Sequence, residues 1–289
     1  MVLVRLSCLL SLLLVLFPAL AAPPPLRVMS FNVRTPADTE PGRRWEDRRG
    51  AMVEVIEQAR PAVIGTQELT PVQAKYLGEH LSGYRWFGRD RRGGDEDEHM
   101  GVFFDTEALA LLESGDFWLS DTPEVAGSNT WGHPYPRMVT WGLFERRADG
   151  RKFYLLNTHL PYREQDEPAR VRGAKLLLSR IAALPAEVPV VLAGDFNSEP
   201  GSDTWRTLTA SLRDARSEAR QVDGPRQTFQ GFGGNDQRQL DWILLRGFQA
   251  QRFSTIATRP HGLFPSDHYP VMAELAFPAS VTTPTQPPR

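Results

Sequence analysis

Short apolar runs recur along the chain, and most of them close in a polar cluster. Leu26 to Phe31, Ala62 to Gly65, Gly101 to Phe104, Ala108 to Leu119, Met138 to Phe144, Phe153 to Thr158 and Val188 to Ala193 read as strands. Asp241 to Leu245, Gln249 to Ala257 and Val271 to Phe277 complete the set, with Tyr84 to Phe87 a further candidate. Helical spacing appears at Trp45 to Ala59, where Met52, Val53, Ile56 and Ala59 share a face. It returns at Glu167 to Leu184, through Val171, Ala174, Leu178 and Ile181. Pro71 opens a helix to His80, and Ser202 is the expected N-cap of a short one to Ser211. Charged, proline-rich or glycine-rich loops fill Arg89 to Glu98, Asp121 to Arg137 and Gln221 to Arg238. There is no internal repeat and no second apolar core. The pattern predicts one domain of mixed strands and few long helices, a two-layer sheet covered by helices.

The first residues change that picture only at the margin. Arg5, the apolar Leu9 to Phe17 and Ala19-Leu20-Ala21 form a secretory leader, too short to span a bilayer, with cleavage expected after Ala21 or Ala22. The expected organisation is a leader at 1–22, a domain at 23–277 and a disordered Pro/Thr-rich tail at 278–289. The product is expected in the periplasm or outside the cell, without a stable membrane anchor, as a monomer. The one cysteine, Cys8, leaves with the leader, which removes disulfide and thiolate chemistry from the mature chain. A formal net charge of −2 gives no basic field for a polyanion. This weighs against a nucleic-acid enzyme without excluding one.

The polar clusters are Phe31-Asn32-Val33, Thr66-Gln67-Glu68, Asn157-Thr158-His159, Gly194-Asp195-Phe196-Asn197 and Ser266-Asp267-His268. An active site assembled from many strand ends leaves such a trace. Asp195 and Asn197, two residues apart in extended chain, face one side and can position a water and a phosphate oxygen together. The competing reading is an Asx turn before Pro200. Glu68 at a strand end is a hard oxygen ligand suited to Mg2+ or Mn2+, or else an acid preceding the Pro71 helix. Adjacent residues on a strand point opposite ways, so one assignment has Asp267 orienting His159 while His268 meets substrate. Asp241 opens a strand and is a site acid or only a turn residue. A nucleophile elbow, a phosphate loop and zinc-type His/Cys spacing are all absent from the sequence. What survives is water attack on a phosphate ester, polarised by a hard ion, with His and Asp carrying protons.

In order, these residues resemble the endonuclease/exonuclease/phosphatase superfamily, the group of deoxyribonuclease I-like nucleases, abasic-site endonucleases, sphingomyelinases, inositol-polyphosphate phosphatases and deadenylases. The likeness runs from Val28 to Leu275 and is most specific at Gly194 to Pro200 and Pro265 to His268. Phe117-Trp118-Leu119-Ser120 and Pro136-Arg137 are similar to its short secreted bacterial members. The resemblance implies a four-layer α/β/β/α sandwich of two mixed sheets. It implies Asn32 and Glu68 at the metal, with Asp267 on the metal side or orienting a histidine. His159 and His268 are implied at the phosphate, Asp195 at the water, and Asn197, Arg137 and Asp241 around the substrate. Glu98 aligns with an acid before the Gly101 strand, although His99-Met100 departs from the usual pattern and the loop around it is crowded with acids. The division of proton roles among His159, Asp195 and His268 is left open.

The expected protein is thus a Mg2+- or Mn2+-dependent phosphoesterase acting on a phosphodiester or phosphomonoester. A secreted nuclease is the alternative within the class. A non-catalytic binding module predicts loss of key site residues, and all are present. A carbohydrate hydrolase built on paired carboxylates leaves two histidines and Asn197 without a role. Trp118, Trp131, His133 and Tyr135 are candidates to line the mouth, or simply to pack the long loop.

Overall fold

The computed structural model describes residues 24–279. The expected leader and the tail from 280 onward lie outside the described residues. In chain order the elements are β1 (Leu26–Asn32), α1 (Trp45–Ala59), β2 (Val63–Gln67), α2 (Pro71–His80), β3 (Tyr84–Phe87) and β4 (Val102–Asp105). They continue with β5 (Leu109–Trp118), β6 (Met138–Arg146), β7 (Arg151–His159), α3 (Glu167–Ala183), β8 (Val190–Asp195) and α4 (Asp203–Thr209). The last are β9 (Arg213–Asp214), α5 (Ala215–Glu218), β10 (Gln221–Asp223), β11 (Asp241–Arg246), β12 (Gln249–Thr255) and β13 (Val271–Ala276). Seven strands form one sheet in the order β10-β12-β13-β1-β2-β4-β3, and six form another, β5-β6-β7-β8-β11-β9. Both are mixed: β1 runs parallel to β2, β7 to β8 and β10 to β12, and the other pairs are antiparallel.

Alternation along the strands builds four layers. Val28 of β1 and Val191, Ala193, Ile243 and Leu245 of β8 and β11 face the seam between the sheets. Met29 and Phe31 turn outward onto Trp45, Met52 and Ile56 of α1 and Leu77 of α2. Leu192, Trp242 and Leu244 turn outward onto Ala174, Leu177 and Ile181 of α3. Central strands buried on both faces read as unbroken apolar runs, which makes them legible in the sequence. Each fully buried aliphatic side chain contributes about 1.5–3 kcal/mol by leaving water. The expected α/β/β/α sandwich of two mixed sheets is the observed fold.

The same alternation splits the polar clusters. Gln67 and Asn157 turn into the seam, where the Gln67 side-chain amide donates to Asn157 Oδ1 at 2.7 Å. Asn157 Nδ2 donates to the carbonyls of Thr66 at 2.8 Å and Gly101 at 3.1 Å. These bonds cross-link the sheets directly beneath the strand ends. Gly65 makes room: a Cβ there would stand 2.7 Å from Asn157 Oδ1.

Helix ends follow their sequence signals. Thr70 and Gln73 form a capping box ahead of Pro71, and Ser202 Oγ accepts from the Trp205 N–H at 3.1 Å. The segment read as a polar loop from Gln221 to Arg238 opens with the short strand β10 and bridges Phe229 to both Arg238 and His268.

Candidate active site

One edge of the two sheets gathers the chemistry. β1, β2, β7 and β8 all end there, and their registers align Asn32 with Gln67 and His159 with Asp195. β11 starts there, antiparallel to β8, with Asp241 opposite Asp195. Of the residues singled out in the sequence, Glu68, Glu98, Arg137, His159, Asp195, Asn197, Asp267 and His268 line one cavity of about 520 Å³. Asn32 and Asp241 stand behind it, almost fully buried.

Three cavity residues, Arg34, Glu68 and Asn197, have positive φ of 53°, 60° and 48°. Such backbone is uncommon away from glycine and asparagine, and it concentrates at functional sites. It revises the extended-chain reading of Asp195 and Asn197. The Asn197 N–H donates to Asp195 Oδ1 at 2.9 Å, so the Asx turn and the shared pocket are one structure.

The buried ionisable groups sort by partner. His268 Nδ1 meets Asp241 Oδ2 at 2.8 Å, and its Nε2 lies 3.7 Å from Asp195 Oδ2. Burial pulls this imidazole down, but Asp241 and Asp195 outweigh it and push it up to about 10, so it is charged. Asp195 is pushed up to about 7 by burial, against the pull of His268. His159 is held well below its ordinary value, by burial first and Arg137 next, and is neutral. Asn197 Nδ2 donates to the Leu160 carbonyl at 3.0 Å and approaches His159 Nε2 at 2.9 Å. That geometry makes Nε2 the acceptor and places the proton on Nδ1, which is buried without a partner.

Asp267 does not orient His159. Its carboxylate lies 3.7 Å from the Arg34 guanidinium and accepts from Ser266 Oγ at 3.3 Å. The imidazole that a carboxylate does orient is His268, through Asp241. The pairing is decided by β11 and the loop before β13, long-range neighbours that residue adjacency does not reveal.

Arg137 is buried and its Nε and Nη1 have no protein partner. An unpaired guanidinium at the wall of a cavity is an anion site, because each unbonded N–H keeps its desolvation cost until an acceptor arrives. Glu98 is engaged by Arg91 Nη1 at 2.7 Å and raised by burial and by Glu68. Asp90 organises that loop by accepting the N–H groups of Arg92, Gly94, Glu96 and Asp97 at 2.8–2.9 Å. Of the four mouth candidates only Tyr135 reaches the cavity, its ring 4.3 Å from the Arg91 guanidinium carbon. Trp118 and His133 are buried, and Trp131 packs beside α3 with its indole N–H on Asp121.

Sequence reasoning passed over Arg34, Arg91 and Arg238, which also line the cavity. Arg34 follows Asn32 by two residues, the only local hint; the other two sit in polar loops that carry no signal.

The oxygen donors suit a hard ion. Glu68 and Asp267 are acidic, mostly buried and electrostatically coupled, and Asp267 is raised by burial with Glu68 adding to it. A divalent cation between two such carboxylates relieves both effects. Asn32 faces otherwise: its Oδ1 accepts the Arg34 N–H at 2.9 Å, while its Nδ2 donates to Glu68 at 3.1 Å and Asp195 at 3.0 Å. It is a strut between carboxylates here, not an open oxygen ligand. Asp195, Asp241 and His268 also approach closely enough for a metal, with the imidazole 2.8 Å from Asp241 and 3.7 Å from Asp195.

Two face-to-face mixed sheets with carboxylates, imidazoles and an unpaired arginine at one edge define a class of phosphoester-cleaving hydrolases. The chain belongs to the Endonuclease/Exonuclease/phosphatase family, whose model matches residues 29–268. Members of this family include hydrolases acting on phosphoester bonds. A structure of a family protein from Bacteroides thetaiotaomicron is 30% identical with a TM-score of 0.81, covering 87% of this chain and 97% of that one. A mannosyl-6-phosphatase from B. thetaiotaomicron VPI-5482 is 29% identical with a TM-score of 0.81, covering 87% and 100%. Nocturnin of Drosophila melanogaster is 25% identical over 180 residues, 57% of this chain and 26% of that protein. The chain spans between 26% and 60% of the length of the first curated relatives it matches.

Proposed function

We propose that this is an exported, Mg2+- or Mn2+-dependent phosphoesterase of the short secreted bacterial kind, acting on a small phosphomonoester. The observation that carries the reading is the buried, unpartnered Arg137 guanidinium in a cavity shared with His159, Asp195, Asn197 and His268. A second cavity of about 670 Å³ opens beside the first and shares Tyr162, Asn197, Arg238 and Leu240 with it. Its wall mixes carboxylates, Glu164, Glu167, Glu199 and Asp203, with arginines, Arg170, Arg206 and Arg238. Such a wall offers many hydrogen-bond partners to a hydroxyl-rich alcohol and no net basic field for a nucleic-acid strand. The likeness to a mannosyl-6-phosphatase supports the same choice.

In this reading Arg137 and the charged His268 hold the phosphoryl oxygens. Asp195 accepts the proton of a water that attacks phosphorus opposite the alcohol. The new P–O bond forms as the old one breaks, and the alcohol oxygen takes up a proton from solvent. Asp241 keeps His268 charged and oriented through the step. Glu68 and Asp267 would hold a divalent ion, which would supply neutralisation of the charge developing on phosphate.

Phosphate release from hexose phosphates and nucleoside monophosphates, and aryl-alcohol release from aryl diesters, alongside cleavage of single-stranded DNA, with and without chelator, tests this. Hexose phosphates should turn over fastest, and chelator should abolish it. Arg137→Met should raise KM and cut kcat/KM on the order of 10²-fold while the fold survives. Fastest action on DNA would instead favour the secreted nuclease, for which the exposed rings of Tyr135 and Tyr162 offer stacking surfaces. Turnover indifferent to chelator would overturn the metal reading.

A further inference from the structure

We propose that Arg34 is a built-in counter-cation of the oxygen site, sharing Glu68 and Asp267 with the divalent ion, and that Asp38 governs how far it is shared. The inference rests on the proposed metal position at Glu68 and Asp267. Arg34 Nη1 lies 4.0 Å from Glu68 Oε2, and its Nε lies 3.7 Å from Asp267 Oδ2. Both contacts are longer than a hydrogen bond. The fork of the guanidinium belongs to Asp38, with Nε at 2.9 Å and Nη2 at 3.2 Å from its two oxygens. Asp38 therefore holds the cation back from the two carboxylates while leaving its charge within their reach.

The backbone around Arg34 is fixed. Its N–H donates to Asn32 Oδ1, and its carbonyl accepts from Arg48 Nη2 and from Gln73 Nε2 at 2.7 Å. Arg48 is fully buried in α1 and spends its donors on carbonyls of Arg43, Val33, Arg34, Thr35 and Pro265. It ties the Arg34 turn to the segment that carries Asp267. The side chain, one-third exposed at the cavity wall, is the part left free to change partners. A fixed positive charge this close to two ligand carboxylates must weaken the site for a second cation. Release from Asp38 would let it close on Glu68 and Asp267 directly. The bidentate match to a carboxylate is peculiar to arginine, so lysine keeps the charge without the restraint.

Mn2+ binding to the full, substrate-free chain, measured by calorimetry and by the electron paramagnetic resonance of free Mn2+, tests this. Arg34→Gln should tighten Mn2+ about fivefold or more, from removal of one nearby charge. Asp38→Asn and Arg34→Lys should each weaken it, because the cation is then free to occupy the carboxylates. In the Arg34→Gln background, Asp38→Asn should have no further effect if Asp38 acts only through Arg34. An unchanged affinity in Arg34→Gln overturns the proposal, as does an Asp38→Asn effect that persists in the double variant. Glu68→Gln separates the metal position from the role of Arg34. If it leaves Mn2+ affinity intact, the ion binds elsewhere and the metal position itself is wrong. If it abolishes binding while Arg34→Gln is silent, only the role of Arg34 fails.

Discussion

Asp195 carries the sharpest consequences at the scale of single residues. It is buried at 1% exposure, takes the Asn32 amide and the Asn197 N–H, and stands between two imidazoles. Its proton is held more tightly in the folded chain, about 7 against an ordinary 3.8. It therefore favours folding below pH 3.8, and that contribution is lost as pH climbs through about 7. His268 follows the same sign from a higher start: its contribution is complete below pH 6.5 and is lost through about 10. Asp195→Asn should flatten the loss of stability between pH 4 and 7 in urea titrations while cutting kcat by about 10²–10⁴-fold. With Asp195 as the base, kcat/KM should rise with pH toward about 7 at low metal, and the limb should move to lower pH as Mg2+ saturates. A flat profile would remove Asp195 from the proton path.

Elements place these residues, and one glycine shows how tightly. Gly194 lies opposite Thr158 where β8 runs parallel to β7, two strands that end in Asp195 and His159. A Cβ on Gly194 would stand 2.1 Å from the Thr158 carbonyl oxygen, a backbone atom that cannot swing away. Gly194→Ala should cost about 2–4 kcal/mol in chemical denaturation, since the two strands must part or buckle. It should also lower kcat by displacing Asp195 from His159. Both strands are readable in the sequence because an apolar run of this length, closed by a polar cluster, fits a buried strand and little else. The sequence does not reveal β9, α5 or β10, which are four residues or fewer: β9 and β10 owe their shape to pairing with β11 and β12, and α5 is capped by Asp214, which accepts the Arg216 N–H. Strand periodicity also fails where the chain turns left-handed, at Arg34, Glu68 and Asn197. Side-chain direction there follows local hydrogen bonds, such as Asn32 Oδ1 to the Arg34 N–H, instead of the pleat.

The molecule as a whole is two sheets whose shared edge collects carboxylates that cost stability unless a cation joins them. A divalent ion binding only the folded chain stabilises it by about 2.7 kcal/mol at a hundredfold excess over Kd. Mg2+ or Mn2+ should thus raise the melting temperature by several degrees, and Glu68→Gln should erase that shift. The cross-link of Gln67 and Asn157 beneath the edge ties the sheets together, so the response should be one cooperative transition by near-UV and far-UV circular dichroism. Two separated transitions would mean that the sheets unfold independently.

Apolar runs and the polar residues that close them specify the strands and the edge where chemistry gathers. These are local properties, each set by whether a side chain at a given position is compatible with water or with a core, and one sequence is enough to read them. Which carboxylate meets which imidazole is of another kind. His268 joins Asp241 and not Asp267, Asp195 lies between two histidines, and Arg34 arrives beside Glu68 and Asp267. Those pairings depend on register between strands far apart in the chain, and on electrostatic energies that arise only once both partners have been brought together and stripped of water.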